Sequence, residues 1–257
     1  MKLNFKVSKI TAIIPTFNEE IHIEEAIQSV QFADEIIIID SFSTDNTVKI
    51  AKKHNVVLIQ RIFDDYSSQK NFAIDKATHN WICILDADER ISIALKKEIL
   101  KKVSSEETNE SAFWIYRSNI FMNKEIKYSG WQNDKVIRLF KKDSCRYDGK
   151  LVHEEIFTKG KIGFLKNKIV HNTYKSFDIF ISKKNDYAIL QALELHKKNI
   201  KPNLYHFILK PIIRFYRHYF FRGGVLDGVP GLVISYVAMY TVFVRYVKLW
   251  LLIKKMQ

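Results

Sequence analysis

The chain has 257 residues, 47% hydrophobic and 27% charged. That is too apolar for a disordered chain, too charged for a polytopic membrane protein, and long enough for one α/β domain with an appendage. The net charge of +13 is uneven: residues 1–100 hold 12 Lys/Arg against 15 Asp/Glu and residues 201–257 hold 9 against 1, so an anionic partner is expected at one end only.

The N-terminal residues, with Lys2, Lys6 and Lys9, lack the uninterrupted apolar stretch of a secretory signal. Ile10 to Pro15 predicts a strand stopped by its proline, followed by a helix carrying Ile23, Ala26, Ile27 and Val30. Glu35 to Asp40 predicts a second strand, whose unbroken isoleucines require burial on both faces, as in a parallel sheet covered by helices. Ser43-Thr44-Asp45 offers capping groups for a helix over 46–53, and Val56 to Ile59 predicts a third strand. A helix over 67–77 precedes a fourth strand, Trp81 to Leu85. Cys83 lies inside that apolar run. Two cysteines, Cys83 and Cys145, make no disulfide framework, and a reducing, cytoplasmic setting fits.

Alternating strands and helices predict a doubly wound, mostly parallel α/β sheet, which binds ligands outside the carboxyl ends of its strands. Pro15 to Asn18, Asp40 to Asp45 and Asp86 to Glu89 all follow strands and should meet along that edge. No glycine precedes Gly130, which excludes a dinucleotide fingerprint or a phosphate-cradling glycine loop in this half. Any nucleotide phosphate must be neutralised otherwise. Asp86-Ala87-Asp88, at the end of a buried strand, suits Mg²⁺ or Mn²⁺ beside a ribose hydroxyl.

Ile13-Ile14-Pro15-Thr16-Phe17-Asn18-Glu19, Asp40-Ser41-Phe42-Ser43-Thr44-Asp45 and Leu85-Asp86-Ala87-Asp88-Glu89 resemble the serial motifs of family 2 glycosyltransferases, enzymes of the GT-A fold. Gln69-Lys70-Asn71, Arg138-Leu139-Phe140, Val152-His153-Glu154 and Leu226-Asp227-Gly228 are similar to the bacterial subgroup that adds sugars to the lipopolysaccharide inner core, which includes β-1,4-glucosyltransferases. Phe42 departs from the family, which usually has glycine there. The resemblance implies inverting transfer of a hexose from a UDP-sugar to a glycolipid or lipopolysaccharide-core hydroxyl. It places Pro15, Thr16, Asn18, Glu19, Asp40, Arg61, Lys70, Asn71, Asp86 and Ala87 around the nucleotide-sugar, with Asp88 holding a divalent cation. His153 is a candidate second metal ligand. Glu154 and Asp134 are the two candidates for the general base that inversion needs. Trp131 is a candidate acceptor platform, and Arg138 either binds an anionic acceptor group or forms a salt bridge.

The boundary is expected near residue 172, with a catalytic domain before it and a helical, basic, membrane-associating region over 173–257. A helix is predicted from about Phe177 to Ile200. Beyond Pro202, Lys210, Arg214 and Arg217 share one helical face opposite Phe, Tyr and Ile, the pattern of a helix lying on an anionic membrane surface. Val229 to Val244 carries no charge, short of the ~20 residues a span needs, and reads as an interfacial or packed helix. The enzyme is therefore expected at the inner face of the cytoplasmic membrane. The alternative is a non-catalytic nucleotide-binding α/β protein with a membrane- or RNA-docking tail, although no RNA-binding motif is present and the acidic sheet edge would repel nucleic acid.

Overall fold

The structure, a computed structural model, describes residues 8–105, 107–148, 155–174 and 176–256. The chain forms two compact units, residues 1–118 with 134–171 and residues 119–133 with 172–257.

The first unit opens with the expected alternation: β1 (Ile10–Thr16), α1 (Ile23–Ser29), β2 (Glu35–Asp40), α2 (Thr47–Ala51), β3 (Val57–Gln60), α3 (Tyr66–Lys76) and β4 (Trp81–Ile84). These strands are parallel in the order β3-β2-β1-β4. Successive isoleucines of β2 serve opposite faces. Ile36 and Ile38 pack with Ile23, Ala26 and Ile27 of α1, while Ile37 and Ile39 pack with Ala73 and Ile74 of α3. Each such side chain contributes roughly 1.5–3 kcal/mol by leaving water.

One strand end differs from expectation. β1 continues through Pro15, opposite Ile39 of β2, to Thr16. Its other neighbour, β4, pairs only with Ile10 to Ile13, so the N–H that proline lacks falls beyond that ladder.

The chain continues with β5 (Glu89–Ile91), α4 (Ile93–Val103), β6 (Glu110–Phe121), β7 (Lys124–Ile126), β8 (Lys135–Lys141), β9 (Cys145–Tyr147), β10 (Ile156–Thr158), β11 (Lys161–Phe164) and β12 (Ile169–Asn172). β8 extends the sheet antiparallel to β4, β6 follows antiparallel to β8, and β11 adds in parallel to β6. β5 pairs with β12, placing His171 opposite Glu89.

The second unit holds the tip of β6 paired with β7, then α5 (Phe177–Lys197), α6 (Leu204–Phe207), α7 (Leu209–Tyr216) and α8 (Val229–Lys254). Phe121, Ile126, Phe180, Ile234 and Val237 form one core here. Asp227 accepts hydrogen bonds from the backbone N–H of Lys127 and Tyr128 and from Ser129 Oγ, so the Leu226-Asp227-Gly228 motif ties this unit together. By length and composition α8 is sufficient to cross a membrane; Ile234, Val237, Val242, Tyr246 and Leu249 along it are buried.

The outward cationic face expected on α7 is not found. Lys210 donates to Tyr246 Oη at 2.5 Å and lies 4.9 Å from that ring's centre, and Arg214 is partly buried with its Nε sealed from solvent. Of the three cations, Arg217 alone is exposed, while Leu209, Ile212, Ile213 and Tyr216 face outward. Their long stems let Lys210 fold inward over the Tyr246 ring and Arg214 bury its Nε, which the residue spacing does not reveal.

Candidate active site

Two loops at the carboxyl ends of β1 and β2 are laced together. Asn18 N–H donates to Ser43 Oγ at 2.9 Å, Asn18 Oδ1 accepts from Thr44 N–H at 2.8 Å, and Glu19 N–H donates to Thr47 Oγ1 at 2.8 Å. Asp45 accepts from both Glu20 N–H and Thr47 N–H. Asp40 lies beneath these loops, fully buried. Its carboxylate accepts from Thr16 Oγ1, Ser43 N–H and Oγ, and Gln60 Nε2. The geometry makes Asp40 an organiser of the loops, with Thr16 equally buried beside it.

Phe42 has φ = 59°, the left-handed region, and its side chain is half exposed. Asn18 shares that conformation at φ = 54°, but asparagine tolerates it and phenylalanine does not. Phe42→Gly is therefore expected to stabilise the protein by about 0.5–1 kcal/mol, read as a higher denaturant midpoint at unchanged slope. An unchanged or lower midpoint would show that the ring contributes packing that offsets the strain.

The turn after β4 is the charged centre. Glu89, with no exposure, closes it: Asp86 N–H donates to Glu89 Oε2 at 3.1 Å and Glu89 N–H donates to Asp86 O at 2.9 Å. Arg117 from β6 donates through Nε to Glu89 Oε1 at 2.7 Å. Arg138 from β8 donates through Nη2 to the same oxygen at 3.0 Å, and its Nε lies 2.9 Å from Oε2 without hydrogen-bond alignment. Arg138 also pairs with Asp86, which lies 3.6 Å from Arg117 Nη2 and 3.7 Å from Lys70 Nζ. Burial would raise the Asp86 pKa, but Arg138, then Lys70 and Arg117, hold this carboxyl well below its ordinary value. Arg138 is thus a salt-bridged residue at one wall of the site.

A cleft of about 300 Å³ opens here, lined in part by Lys70, Asp86, Trp114, Arg117, Arg138 and Tyr147. The Lys70 ammonium lies 5.1 Å from the centre of the Tyr147 ring. Asn71 holds the Tyr147 backbone, accepting from Tyr147 N–H at 3.0 Å and donating to Tyr147 O at 3.1 Å. Arg61 turns to Asp64 and to the Ser68 carbonyl.

Asp88 stands apart from this network. Its Oδ2 lies 3.5 Å from His171 Nε2, with the two side chains 30% and 14% exposed. A carboxylate and an imidazole at that spacing can share one divalent cation, leaving further positions to water and ligand oxygens, as Mg²⁺ prefers. Among the described residues no group of three such side chains forms. His171 belongs to no motif in the sequence. Only the pairing of β12 with β5 brings it to Asp88.

His153 and Glu154 lie outside the described residues; the neighbouring Glu155 lines the cleft. Asp134 Oδ1 is 3.4 Å from Arg117 Nη1. Trp131 belongs to the second unit, where its ring meets Phe121 edge-on at 5.8 Å.

Residues 11–177 match the family described as Glycosyl transferase family 2. An uncharacterized glycosyltransferase of Rickettsia conorii is 30% identical over 254 residues, covering 94% of this chain and 89% of the relative. A lipopolysaccharide core biosynthesis glycosyltransferase of Rhizobium meliloti is 26% identical, covering 92% and 93%. Among solved structures, residues 1–349 of Staphylococcus aureus TarS, in complex with UDP, superpose with a TM-score of 0.50 at 16% identity, covering 97% of this chain and 92% of that one. That likeness shows a shared GT-A fold.

Proposed function

Since the chain belongs to glycosyl transferase family 2, we propose that it transfers a hexose from a UDP-sugar, with inversion, to a hydroxyl of a lipopolysaccharide core or related glycolipid, assisted by Mg²⁺ or Mn²⁺. The observation that carries this reading is the turn after β4. There Asp86 is gripped by three cations while Asp88 is left beside His171. The core-biosynthesis relative supports the acceptor class, and the UDP complex of the fold neighbour supports the donor class.

In this reading the laced loops of Thr16, Asn18, Glu19 and Asp40 shape the nucleoside end of the pocket, with Pro15 and Ala87 as its backbone floor. Lys70, Arg117 and Arg138 hold Asp86 ionised so that it accepts from the donor's hydroxyls. Asp88 and His171 hold the cation, which when bound would neutralise the charge that develops on the departing diphosphate. Glu154 is the proposed base: it takes the acceptor's hydroxyl proton as that oxygen bonds to the anomeric carbon and the carbon–oxygen bond to the diphosphate breaks. The cleft-lining Glu155 supports that segment's place in the site. Trp131 remains a proposed acceptor contact. The exposed apolar residues of α7 support docking of the second unit on the inner face of the cytoplasmic membrane.

A donor panel tests the proposal. UDP release is measured with each common UDP-sugar, with and without Mn²⁺. One UDP-hexose is expected to stand at least about tenfold above the rest, and only with metal present. Equal, metal-independent background with every donor would overturn the reading.

A further inference from the structure

Four cations line the cleft beside Asp86, and three of them are already matched. Lys70, Arg117 and Arg138 each lie within 4 Å of a carboxylate. Lys135, the fourth, does not: among the described residues no carboxylate comes that close to its Nζ, although Asp86 and Glu155 line the same cleft. Asp134, its neighbour in sequence, turns to Arg117 Nη1 at 3.4 Å. The Lys135 ammonium lies instead over the Trp114 ring, 4.8 Å from its centre, and 5.0 Å from the centre of the Phe164 ring. Two rings attract an ammonium and hold its stem in place, but they carry no net charge to neutralise it.

Strand register builds this cluster. Trp114 and Tyr116 are two residues apart on β6 and so share one face of the sheet. Ile137 and Lys135 of β8 stand opposite them, and Phe164 of β11 pairs with Trp114 from the other side. Tyr116 and Phe164 stack with ring centres 6.4 Å apart and planes at 23°, and Phe164 is 53% exposed. Ile137, on the same face, packs in one core with Ala73 and Ile74 of α3, the helix that carries Lys70. The face therefore continues outward from the charged cleft, past Trp114 and Lys135, to Tyr116 and Phe164.

An aromatic shelf continuous with a reaction cleft offers apolar surface to the C–H face of a sugar ring. A fixed ammonium without a carboxylate beside it selects a ligand that brings negative charge. In the function proposed above, Asp86 serves the donor's hydroxyls and the cation at Asp88 serves its diphosphate, which leaves Lys135 to the acceptor. We propose that Lys135, with Trp114, Tyr116 and Phe164, forms an acceptor subsite for a saccharide that carries an anionic group, a phosphate or a sugar carboxylate. This deepens the proposed transfer and rests on it.

The test measures binding and transfer separately. The probe is a delipidated lipopolysaccharide core oligosaccharide truncated before the added hexose, used untreated, phosphatase-treated or carboxyl-reduced. Isothermal titration in the presence of UDP and Mn²⁺ reads affinity, and UDP release from the preferred donor reads transfer. Wild type is expected to lose at least about tenfold in affinity on one of the two treatments, which names the anionic group. Lys135→Met, which keeps the stem, is expected to bind all three forms with that weaker affinity while its affinity for UDP stays at the wild-type value. Lys135→Arg is expected to restore the preference. Phe164→Ala is expected to weaken all three forms alike, by about fivefold. Equal affinity of wild type for all three forms, or a preference retained in Lys135→Met, overturns the anionic subsite. Loss of UDP affinity in Lys135→Met overturns it by assigning the charge to the donor, and unchanged affinity in Phe164→Ala overturns the aromatic shelf. The expected binding pattern without any transfer upholds the subsite and overturns the transfer proposed above. No binding of any form by wild type overturns the subsite.

Discussion

Asp88→Asn is expected to lower the rate of UDP release from the preferred donor by about 10³-fold at saturating Mn²⁺, equivalent to about 4 kcal/mol of lost transition-state stabilisation. The change keeps size and shape but removes the charge that, with His171 3.5 Å away, is proposed to hold the cation. Stability should move by no more than about 0.5 kcal/mol, since the side chain is 30% exposed and lies outside the Glu89 network. His171→Gln should weaken Mn²⁺ binding in the same direction, read independently by the paramagnetic resonance of free Mn²⁺. Full activity in Asp88→Asn would sink the metal-assisted reading. A non-catalytic nucleotide binder would release no UDP in either form.

Glu89→Gln is the variant expected to damage the fold most. Glu89 has no exposure and accepts from both Arg117 and Arg138, so removing its charge leaves two guanidiniums that are only 15% and 5% exposed with Asp86 and Asp134, both at the rim, as their remaining carboxylates. Breaking a buried ion pair from one side costs about 3–5 kcal/mol, which for a protein of this size lowers the melting temperature by about 10 °C. Because Asp86 N–H bonds to the same carboxylate, donor affinity should fall as well, even at temperatures where the variant is folded. A wild-type unfolding midpoint would show that the Asp86–Glu89 turn is held by its own backbone and not by this network.

Much of the first unit was legible because its signals are local. The unbroken isoleucines of β2 announce burial on two faces, and α1 and α3 deliver those faces. Asp86 and Asp88 stand out because an apolar strand delivers them to a ligand-binding edge. What stayed hidden depends on pairing between distant segments. β6, β11 and β12 enter the sheet through long connections, and the partners they bring, Arg117 and His171, sit in sequence with no motif around them. Glu89 was visible only as the last residue of an acidic run; its burial follows from two arginines on two other strands. Asn71 carries a partner that its motif does not announce: two hydrogen bonds to the backbone of Tyr147, 76 residues away. On α7 the spacing puts Lys210 and Arg214 on one face, but the direction in which the Lys210 stem folds depends on Tyr246 of α8, 36 residues away.

The lacing of the first two loops has a consequence for recognition. Asn18, Glu19, Glu20, Ser43, Thr44, Asp45 and Thr47 are bonded to one another across the gap between β1 and β2, with Asp40 sealed beneath. A molecule arriving there meets a preformed mould and spends little of its affinity on ordering peptide. On the function proposed above, discrimination at that end would resemble the fit of a key in a rigid lock, with a wrongly shaped base refused at the door instead of being accommodated and rejected later.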